Sequence, residues 1–399
     1  MSFSCPSLLG TQDCTVMRQA LLRTIFGRVR KARNARWPNH DAFLSSVLEP
    51  LLARLEDADV WMPELGFVLH LHREGKIEAA SAQLALALSA AQIDDVTWSY
   101  EIGEDAEMLF GGTLFVGGGS MRARISRDVA EIDLFGGSAP LSLRFVRTGA
   151  LWQRMGTESP RICDPYLLAS DEIGIYVNGF KTGEEMTSQV PLLSHGRAVG
   201  PAGIARHAEI LSSALATIEQ MGPDYVRWVG HAIKMVQMLD CWREEGDPVY
   251  TSSSWPSRPG MVSMGFSVAP TLFEHKFRVA DSFIHEASHQ YLNLLSLAFP
   301  LANGNDSSLY YSVLARRERP IDRVLLAFHA AANMALFYAE AFRRGRYECR
   351  HNFKWAMDCS KSLREPLDHT TGLTDVGLGI FRPLASALDE IDTSMLAHA

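Results

Sequence analysis

Residues 283–295 read FIHEASHQYLNLL, and this stretch predicts a helix that carries a metal-binding motif. In a helix, residues four apart lie one above the other, so His285 and His289 would face the same side. Glu286, between them, would point to a neighbouring part of that surface. The stretch therefore matches HExxH, a pattern that fixes three of its five positions and in which two imidazoles share one metal ion.

The flanking sequence sets the expected limits of this helix. Thr271-Leu-Phe-Glu274 has the form of a capping box, so we expect the helix to begin there. Pro300 cannot continue a helix, so we expect it to end near that residue. The alternative to a metal site is a buried helix whose histidines bond to each other or to Glu286. Three polar side chains clustered on an apolar helix would be costly to bury in that way.

A third ligand is needed, and His329 is the candidate that the sequence favours. It lies in residues 319–340 (RPIDRVLLAFHAAANMALFYAE), a run of good helix formers in which Pro320 suits the first turn. On such a helix Asp322 and Asn333 share the face of His329, as expected for a ligand with supporting polar partners. The alternative is a core histidine that bonds to a backbone carbonyl.

The order of these segments resembles a known family, the HExxH-motif peptide modification proteins found with ribosomally made, post-translationally modified peptides. The resemblance covers about residues 245–345. It depends on the segment Tyr250–Met264, which reads as two short strands, on the HExxH helix, and on the Arg319-Pro320 step before the His329 helix. Characterised relatives are 2-oxoglutarate-dependent iron enzymes that hydroxylate the β-carbon of residues in a precursor peptide. The resemblance thus implies a non-haem iron dioxygenase that acts on a precursor peptide.

The same resemblance implies roles for individual residues. His285 and His289 would be Fe(II) ligands, with His329 as the third, and the open face would take 2-oxoglutarate and O2. Glu286 would orient a ligand or a bound water.

Two arginines are the expected partners of the distal carboxylate of 2-oxoglutarate. Arg319, which matches the family's Arg-Pro step, is the first choice and Arg323 the second, because a guanidinium binds a carboxylate in a bidentate manner. Cations at a helix start oppose the helix dipole and so suggest an acidic partner. A solvated helix start is the alternative for this basic cluster.

Two other functional classes stay open. A zinc metallopeptidase would use the same histidines, with Glu286 as general base toward a zinc-bound water and with Glu318 or Glu340 as possible carboxylate ligands. Leu292 and Leu295 stand where the best-known metalloprotease extension requires Gly and His, which excludes that subclass. A non-catalytic binding protein for a leader peptide, with a structural metal, is disfavoured because the motif has no cysteine nearby.

Composition limits the remaining possibilities. The chain has 399 residues and a net charge of -8, which argues against general nucleic-acid binding. Its six cysteines form no CxxC pair, so we expect reduced thiols in a cytoplasmic protein. We expect no membrane association, because no apolar run reaches the roughly 20 residues of a span and a secretory signal is lacking. No pattern predicts an oligomeric state.

The expected fold class is α+β, mainly helical, with a strand-rich middle segment and the metal held between two helices of the C-terminal half. Residues 1–95 form a helical N-terminal region, 96–195 a strand-rich region, and 196–399 a mainly helical, metal-binding catalytic region. The predicted helices, besides the two described above, are Val16–Ala35, Ala42–Leu55, Ile77–Ala91, Ala205–Met221, Asp224–Glu244, Cys349–Leu363 and Pro383–Leu396. The predicted strands are Thr113–Val116, Arg122–Leu134, Leu141–Val146, Ile173–Val177 and a pair at about 248–266.

Overall fold

Helices surround one buried, alanine-rich helix in the first part of the chain. The computed structural model describes residues 3–8, 11–31, 39–54, 63–92, 94–136, 140–149, 151–156, 162–169, 174–178, 195–199, 201–242, 250–254, 256, 258–266 and 276–393. The first helices are α1 (Thr11–Lys31), α2 (His40–Phe43), α3 (Glu49–Ala53), α4 (Pro63–Arg73) and α5 (Ile77–Ala90). A π-helical turn, Leu44–Leu48, joins α2 to α3. Every residue of α5 except Glu78 is buried, because its small side chains let other elements approach from all sides.

An antiparallel meander forms the first sheet. Its strands are β1 (Val96–Phe110), β2 (Thr113–Ile125), β3 (Val129–Leu134), β4 (Leu141–Thr148), β5 (Leu151–Met155) and β6 (Ile162–Cys163). They are ordered β1-β2-β3-β4-β5, and β6 pairs with β2. Burial alternates along β3, as expected for a strand with one face on a core. Gly111 and Gly112 turn β1 into β2, and both have positive φ values (56° and 69°), which favour glycine.

The second sheet is mixed and combines strands from distant parts of the chain. Its elements, with the helices between them, are β7 (Tyr166–Ala169), β8 (Gly174–Asn178), β9 (His195–Ala198), α6 (Pro201–Met221), α7 (Pro223–Ala232), β10 (Met235–Trp242), β11 (Tyr250–Ser254) and β12 (Met261–Phe266). The order is β11-β12-β10-β8-β7, with β9 also beside β10. β10 runs parallel to β12 and β8, and β11 runs antiparallel to β12. The described strand β11 pairs with β12 alone, which places it at an edge.

Long packed helices make up the rest of the fold. They are α8 (Lys276–Ala298), α9 (Ile321–Arg343), α10 (Arg350–His369) and α11 (Asp375–Asp389), and the short hairpin β13 (Tyr310–Ser312) and β14 (Arg317–Arg319) lies between α8 and α9. A 3-10 turn, Tyr347–Cys349, precedes α10. α9 packs against α8, α10 and α11, and is the central helix of this half. β11 packs on α8, so the edge of the second sheet reaches the helix that carries the HExxH motif.

The mixed fold class is confirmed, since helices make up 56% and strands 25% of the structure. The helix with the HExxH motif ends at Ala298, two residues before Pro300, as expected. The capping box Thr271–Glu274 lies outside the described residues. The strand pair at about 248–266 is also confirmed, as β11 and β12. The predicted strand Arg122–Leu134 is instead parts of two strands, because Ser126–Asp128 turn β2 into β3.

Two predicted helices are wrong in extent. Asp224–Glu244 is a helix only to Ala232, and Met235–Trp242 is the central strand β10. A strand covered on both faces is apolar throughout, so its sequence lacks the alternation that would distinguish it from a buried helix. The last helix begins at Asp375 rather than at Pro383. Thr374 caps it by accepting a hydrogen bond from the Gly377 backbone N–H.

Among the described helices, α9 has the length and hydropathy of a membrane span, contrary to the expectation from the sequence. In its most apolar window, 83% of the residues are buried inside the structure. That burial is the pattern of a core helix, and the apolar character of α9 is weak evidence for a membrane.

Candidate metal centre

His285 and His289 lie one turn apart on α8 and face the same side. Their ring centroids are 4.4 Å apart, and the ring planes are nearly perpendicular, at 84°. Both side chains are partly exposed, with 24% of the His285 side chain accessible. The pair therefore has the proximity that a shared metal ion requires, on a face that a ligand can reach.

The ring nitrogens of this pair are sparsely bonded. Nδ1 of His285 lies 3.3 Å from the sulfur of Met334, a weak acceptor. Nδ1 of His289 is buried and has no hydrogen-bond partner among the described residues. Burial holds the pKa of His289 well below 6.5, and the positive charges of His285, His329, Arg319 and Arg323 lower it further. His289 is thus a neutral imidazole with a lone pair, the form that binds metals.

Glu286 is buried directly beside His285. Its Oε2 accepts a hydrogen bond from the Ser254 hydroxyl at the end of β11. Its Oε1 lies 3.9 Å from Nε2 of His285 and has no hydrogen-bond partner in the described part of the chain. A buried carboxylate oxygen without a partner is costly, so this position favours a neighbouring cation.

His329 is fully buried and its two nitrogens face backbone carbonyls. Nδ1 lies 3.1 Å from the Ser288 oxygen, and Nε2 lies 2.8 Å from the Phe3 oxygen. Burial lowers the pKa of His329 to about 4, although both carbonyl contacts oppose that shift. The structure brings His285, Glu286 and His289 together but does not direct His329 to them. In the described ranges, no three His, Cys, Asp or Glu side chains converge as a metal site.

The two carboxylates considered as alternative ligands are placed elsewhere. Glu340 forms ion pairs with Arg343 at 3.0 Å and with Arg344 at 2.7 Å. Glu318 is an exposed residue of β14. Neither residue contributes to the cluster around His285.

Arg319 and Arg323 form a cationic border near His289. Arg319 ends β14 and is partly buried, while Arg323 lies in the first turn of α9 and pairs with Asp322 at 3.5 Å. Burial lowers the pKa of Arg319, as do the charges of Arg317 and Arg323. Both predicted arginines are close enough to disfavour protonation of His289. Two closely spaced guanidinium groups beside the neutral His289 imidazole favour an anionic ligand at this border.

A cavity of about 360 Å³ opens beside His285. It is lined by β11, α8, α9 and α10, through Ser252, Arg278, Asp281, Ser282, His285, Met334, His351, Asn352 and Trp355. Of these residues, only His285 is predicted from the sequence to belong to the site. Asp281 could have been found, because it precedes His285 by one helical turn. The residues of α10 could not have been found in this way, because no spacing in the sequence relates them to the HExxH motif.

A hydrogen-bond chain supports the floor of this cavity. Asp281 accepts from the Tyr338 hydroxyl, whose oxygen in turn accepts from Nδ2 of Asn352 at 2.9 Å. Burial raises the pKa of Asp281 to about 7. These hydrogen bonds connect α8, α9 and α10 next to His285. They also hold the Asp281 carboxyl group, which changes charge near neutral pH.

No protein-family model matches the chain, and no curated protein is similar enough to indicate common ancestry.

Proposed function

We propose that the protein is an Fe(II)- and 2-oxoglutarate-dependent oxygenase that hydroxylates a side-chain β-carbon in a ribosomally made precursor peptide. The observation that carries the proposal is the nearness of Arg319 and Arg323 to His289, which shares one face of α8 with His285, since both guanidinium charges lower the pKa of His289. A metal with an anionic co-substrate needs both nitrogen ligands and a nearby cation, and this combination of residues supports such a site.

His285 and His289 fit a metal, since the pair is partly exposed and Nδ1 of His289 has no hydrogen-bond partner in the described part of the chain. His329 remains the proposed third ligand. Its Nδ1 contact with the Ser288 carbonyl supports that role, because metal-binding histidines commonly donate their second ring N–H to a carbonyl or carboxylate. Its Nε2 would have to leave the Phe3 carbonyl.

Bound iron and 2-oxoglutarate supply the oxidising chemistry with O2. The residues of the protein would bind and orient these groups and the peptide, and shield them from water. Arg319 and Arg323 bind the distal carboxylate, Met334 holds the His285 ring, and Ser254 holds Glu286. The cavity beside His285 is large enough for a residue of the peptide and keeps that residue next to the ligands.

A zinc metallopeptidase is the second candidate, and one observation favours it. Oε1 of Glu286, which has no hydrogen-bond partner among the described residues, lies 3.9 Å from His285 Nε2, where a general base toward metal-bound water would be expected. Against this, a hydrolase has no need of Arg319 and Arg323 close to His289.

The test is an absorption spectrum of the anaerobic protein loaded with Fe(II), before and after addition of 2-oxoglutarate. We expect a new visible charge-transfer band in the wild type and in His369→Ala, a control at the exposed end of α10. We expect no band in His289→Ala. Loss in His329→Ala would support the third ligand, and a band retained there would overturn only that assignment. No band in the wild type, with tightly held zinc, would overturn the oxygenase and favour the hydrolase.

A further inference from the structure

The strand β11 is a sheet edge that lies against the proposed metal site. Among the described residues it pairs with β12 alone, so every second residue of β11 directs its backbone N–H and C=O groups away from the sheet. Ser252, Ser253 and Ser254 are each partly exposed. The edge can therefore be reached from outside, and its outward backbone groups can bond to another extended segment.

The sequence of β11 lacks the features that prevent edge pairing in soluble proteins. Residues 250–254 read YTSSS, with no charged residue and no proline. The register with β12 is continuous over all five described residues of the strand. By contrast, β1, at one edge of the first sheet, contains four acidic residues and a register shift between Ile102 and Ala106. The β11 edge therefore has the composition and regularity of a strand acceptor, whereas the β1 edge is protected.

Two serines connect this edge to the site. Side chains alternate along a strand, so Ser252 and Ser254 share one face of β11. Ser254 donates its hydroxyl to Glu286 of α8, and Ser252 lines the same cavity as His285. A strand added at β11 would place the residue opposite Ser252 on that face, about 5 Å away. The side chain of that residue would therefore enter the cavity next to His285.

An exposed tryptophan of α10 borders the other side of the cavity. Trp355 is 45% exposed, so its indole ring is available to a bound molecule, and His351, one turn earlier, lines the cavity as well. A tryptophan offers a large contact area with little loss of side-chain entropy. The cavity is thus bordered by a strand edge and an aromatic ring. This arrangement suits an extended peptide, whose main chain provides affinity and of which one side chain is selected by the cavity.

We propose that an extended segment of the precursor peptide binds as an added strand along β11, with the side chain of its target residue in the cavity between Ser252, His285 and Trp355. The inference rests on the proposed function, since it places the peptide that the oxygenase would modify. Alternate backbone amides of the peptide bond to β11, and alternate side chains face α8.

The experiment measures binding of fluorescein-labelled synthetic heptapeptides of random sequence to the full-length, metal-free protein. The tightest binder is resynthesised in two forms, with N-methyl groups on its odd or on its even residues. Only alternate N–H groups of an added strand donate to β11. We expect one form to lose affinity by about tenfold or more and the other by less than about threefold. Equal losses, no loss in either form, or no binder at all would overturn the inference.

Protein variants locate the bound peptide. Trp355→Ala should weaken binding of the unmethylated peptide by about tenfold, because it removes the ring at the cavity border. Tyr311→Ala, which removes an aromatic side chain that is 59% exposed on the β13 hairpin, is the matched control and should bind as the wild type does. Ser253→Lys should also weaken binding, because a lysine on an edge strand disfavours pairing. Unchanged affinity in both Trp355→Ala and Ser253→Lys would overturn the inference.

The spectrum with Fe(II) and 2-oxoglutarate, recorded on the same protein, separates the two proposals. A charge-transfer band without peptide binding overturns the β11 inference and leaves the proposed function standing. Peptide binding with the alternating N-methyl pattern, but without a band, supports the β11 edge and overturns the oxygenase. A metal-free dimer that Ser253→Lys dissociates would make a second copy of this chain the occupant of β11, and would overturn the inference.

Discussion

Glu286 is the residue at which the two candidate functions differ most clearly. In the oxygenase it is a positioning group held by Ser254, whereas in a peptidase it is the general base. Its burial and its unpartnered oxygen are compatible with either role, so kinetics must separate them.

Replacement of Glu286 by Gln is predicted to retain iron and to lower turnover by less than about tenfold, because Glu286 is not a general base in the oxygenase. Loss of a general base would lower turnover by about 10²–10⁴-fold. Metal content and 2-oxoglutarate consumption check this. Ser254→Ala, which removes only the bond to Glu286, is the matched variant and should have a similar small effect. Loss of a thousandfold with full metal occupancy would contradict the oxygenase assignment.

The arginines near His289 lead to a second residue-scale prediction. Arg319→Gln should raise the KM for 2-oxoglutarate by about 10- to 100-fold, the loss expected for hydrogen bonds to a charged group. Arg323→Gln should have a smaller effect because its side chain is 48% exposed. Fe(II) affinity should change little in either variant.

Arg317→Gln is the control for these measurements, because Arg317 is an exposed residue of the same short strand. Equal effects of all three substitutions would show that only the general positive potential matters, and would remove the specific role of Arg319.

At the scale of elements, the site depends on how α8, α9 and α10 are joined. Asp281, Tyr338 and Asn352 each come from a different one of these helices and form one hydrogen-bond chain. The Asp281 carboxyl has a pKa of about 7, raised from 3.8 by burial, so the folded state prefers the protonated form. The stability from this preference is complete below pH 3.8 and is lost as the pH rises through 7.

Tyr338→Phe removes the hydroxyl that stabilises ionised Asp281. We predict a loss of about 1–3 kcal/mol in the free energy of unfolding at pH 8 and a smaller loss at pH 5, where Asp281 is protonated. Urea unfolding at both pH values measures it. Tyr310→Phe, which removes a hydroxyl bonded to Asp306 away from the cavity, is the comparison. An equal loss at pH 5 and pH 8 would exclude the link to Asp281.

At the scale of the whole molecule, one buried carboxylate links the helical region to the first sheet. Glu64 of α4 is 1% exposed and accepts from the Gly111 backbone N–H at 2.7 Å, in the turn between β1 and β2. Its other oxygen has no hydrogen-bond partner within the described residues. Burial raises the pKa of Glu64 from 4.5 to about 7.

Because that pKa is raised, the stability from protonated Glu64 is present below pH 4.5 and is lost as the pH rises through 7. Glu64→Gln keeps an acceptor for Gly111 and should remove this loss. We predict that the difference in the free energy of unfolding between the variant and the wild type is larger at pH 8 than at pH 4.5, in favour of the variant, by on the order of 3 kcal/mol. Denaturant unfolding across this range tests the prediction. Parallel curves for the two proteins would show that Glu64 is not responsible.

Local patterns were sufficient for several parts of this molecule. The helix with His285 and His289, the pair of strands before it and the apolar His329 helix were all predicted, because each has its hydrophobic period within a short stretch. Arg319 and Arg323 lie close enough to His289 to lower its pKa, and their predicted role as 2-oxoglutarate ligands stays a prediction.

Other features depended on contacts between residues distant in the sequence. The strand β10 was read as helix because burial on both faces removes the alternation that marks a strand. His329 faces Phe3, 326 residues away, and the cavity beside His285 takes side chains from α10. Periodicity identifies which residues turn inward, but the partner that an inward-facing histidine meets is set by long-range packing. The motif could therefore be recognised from the chain alone, whereas the partners of its third histidine depended on the fold.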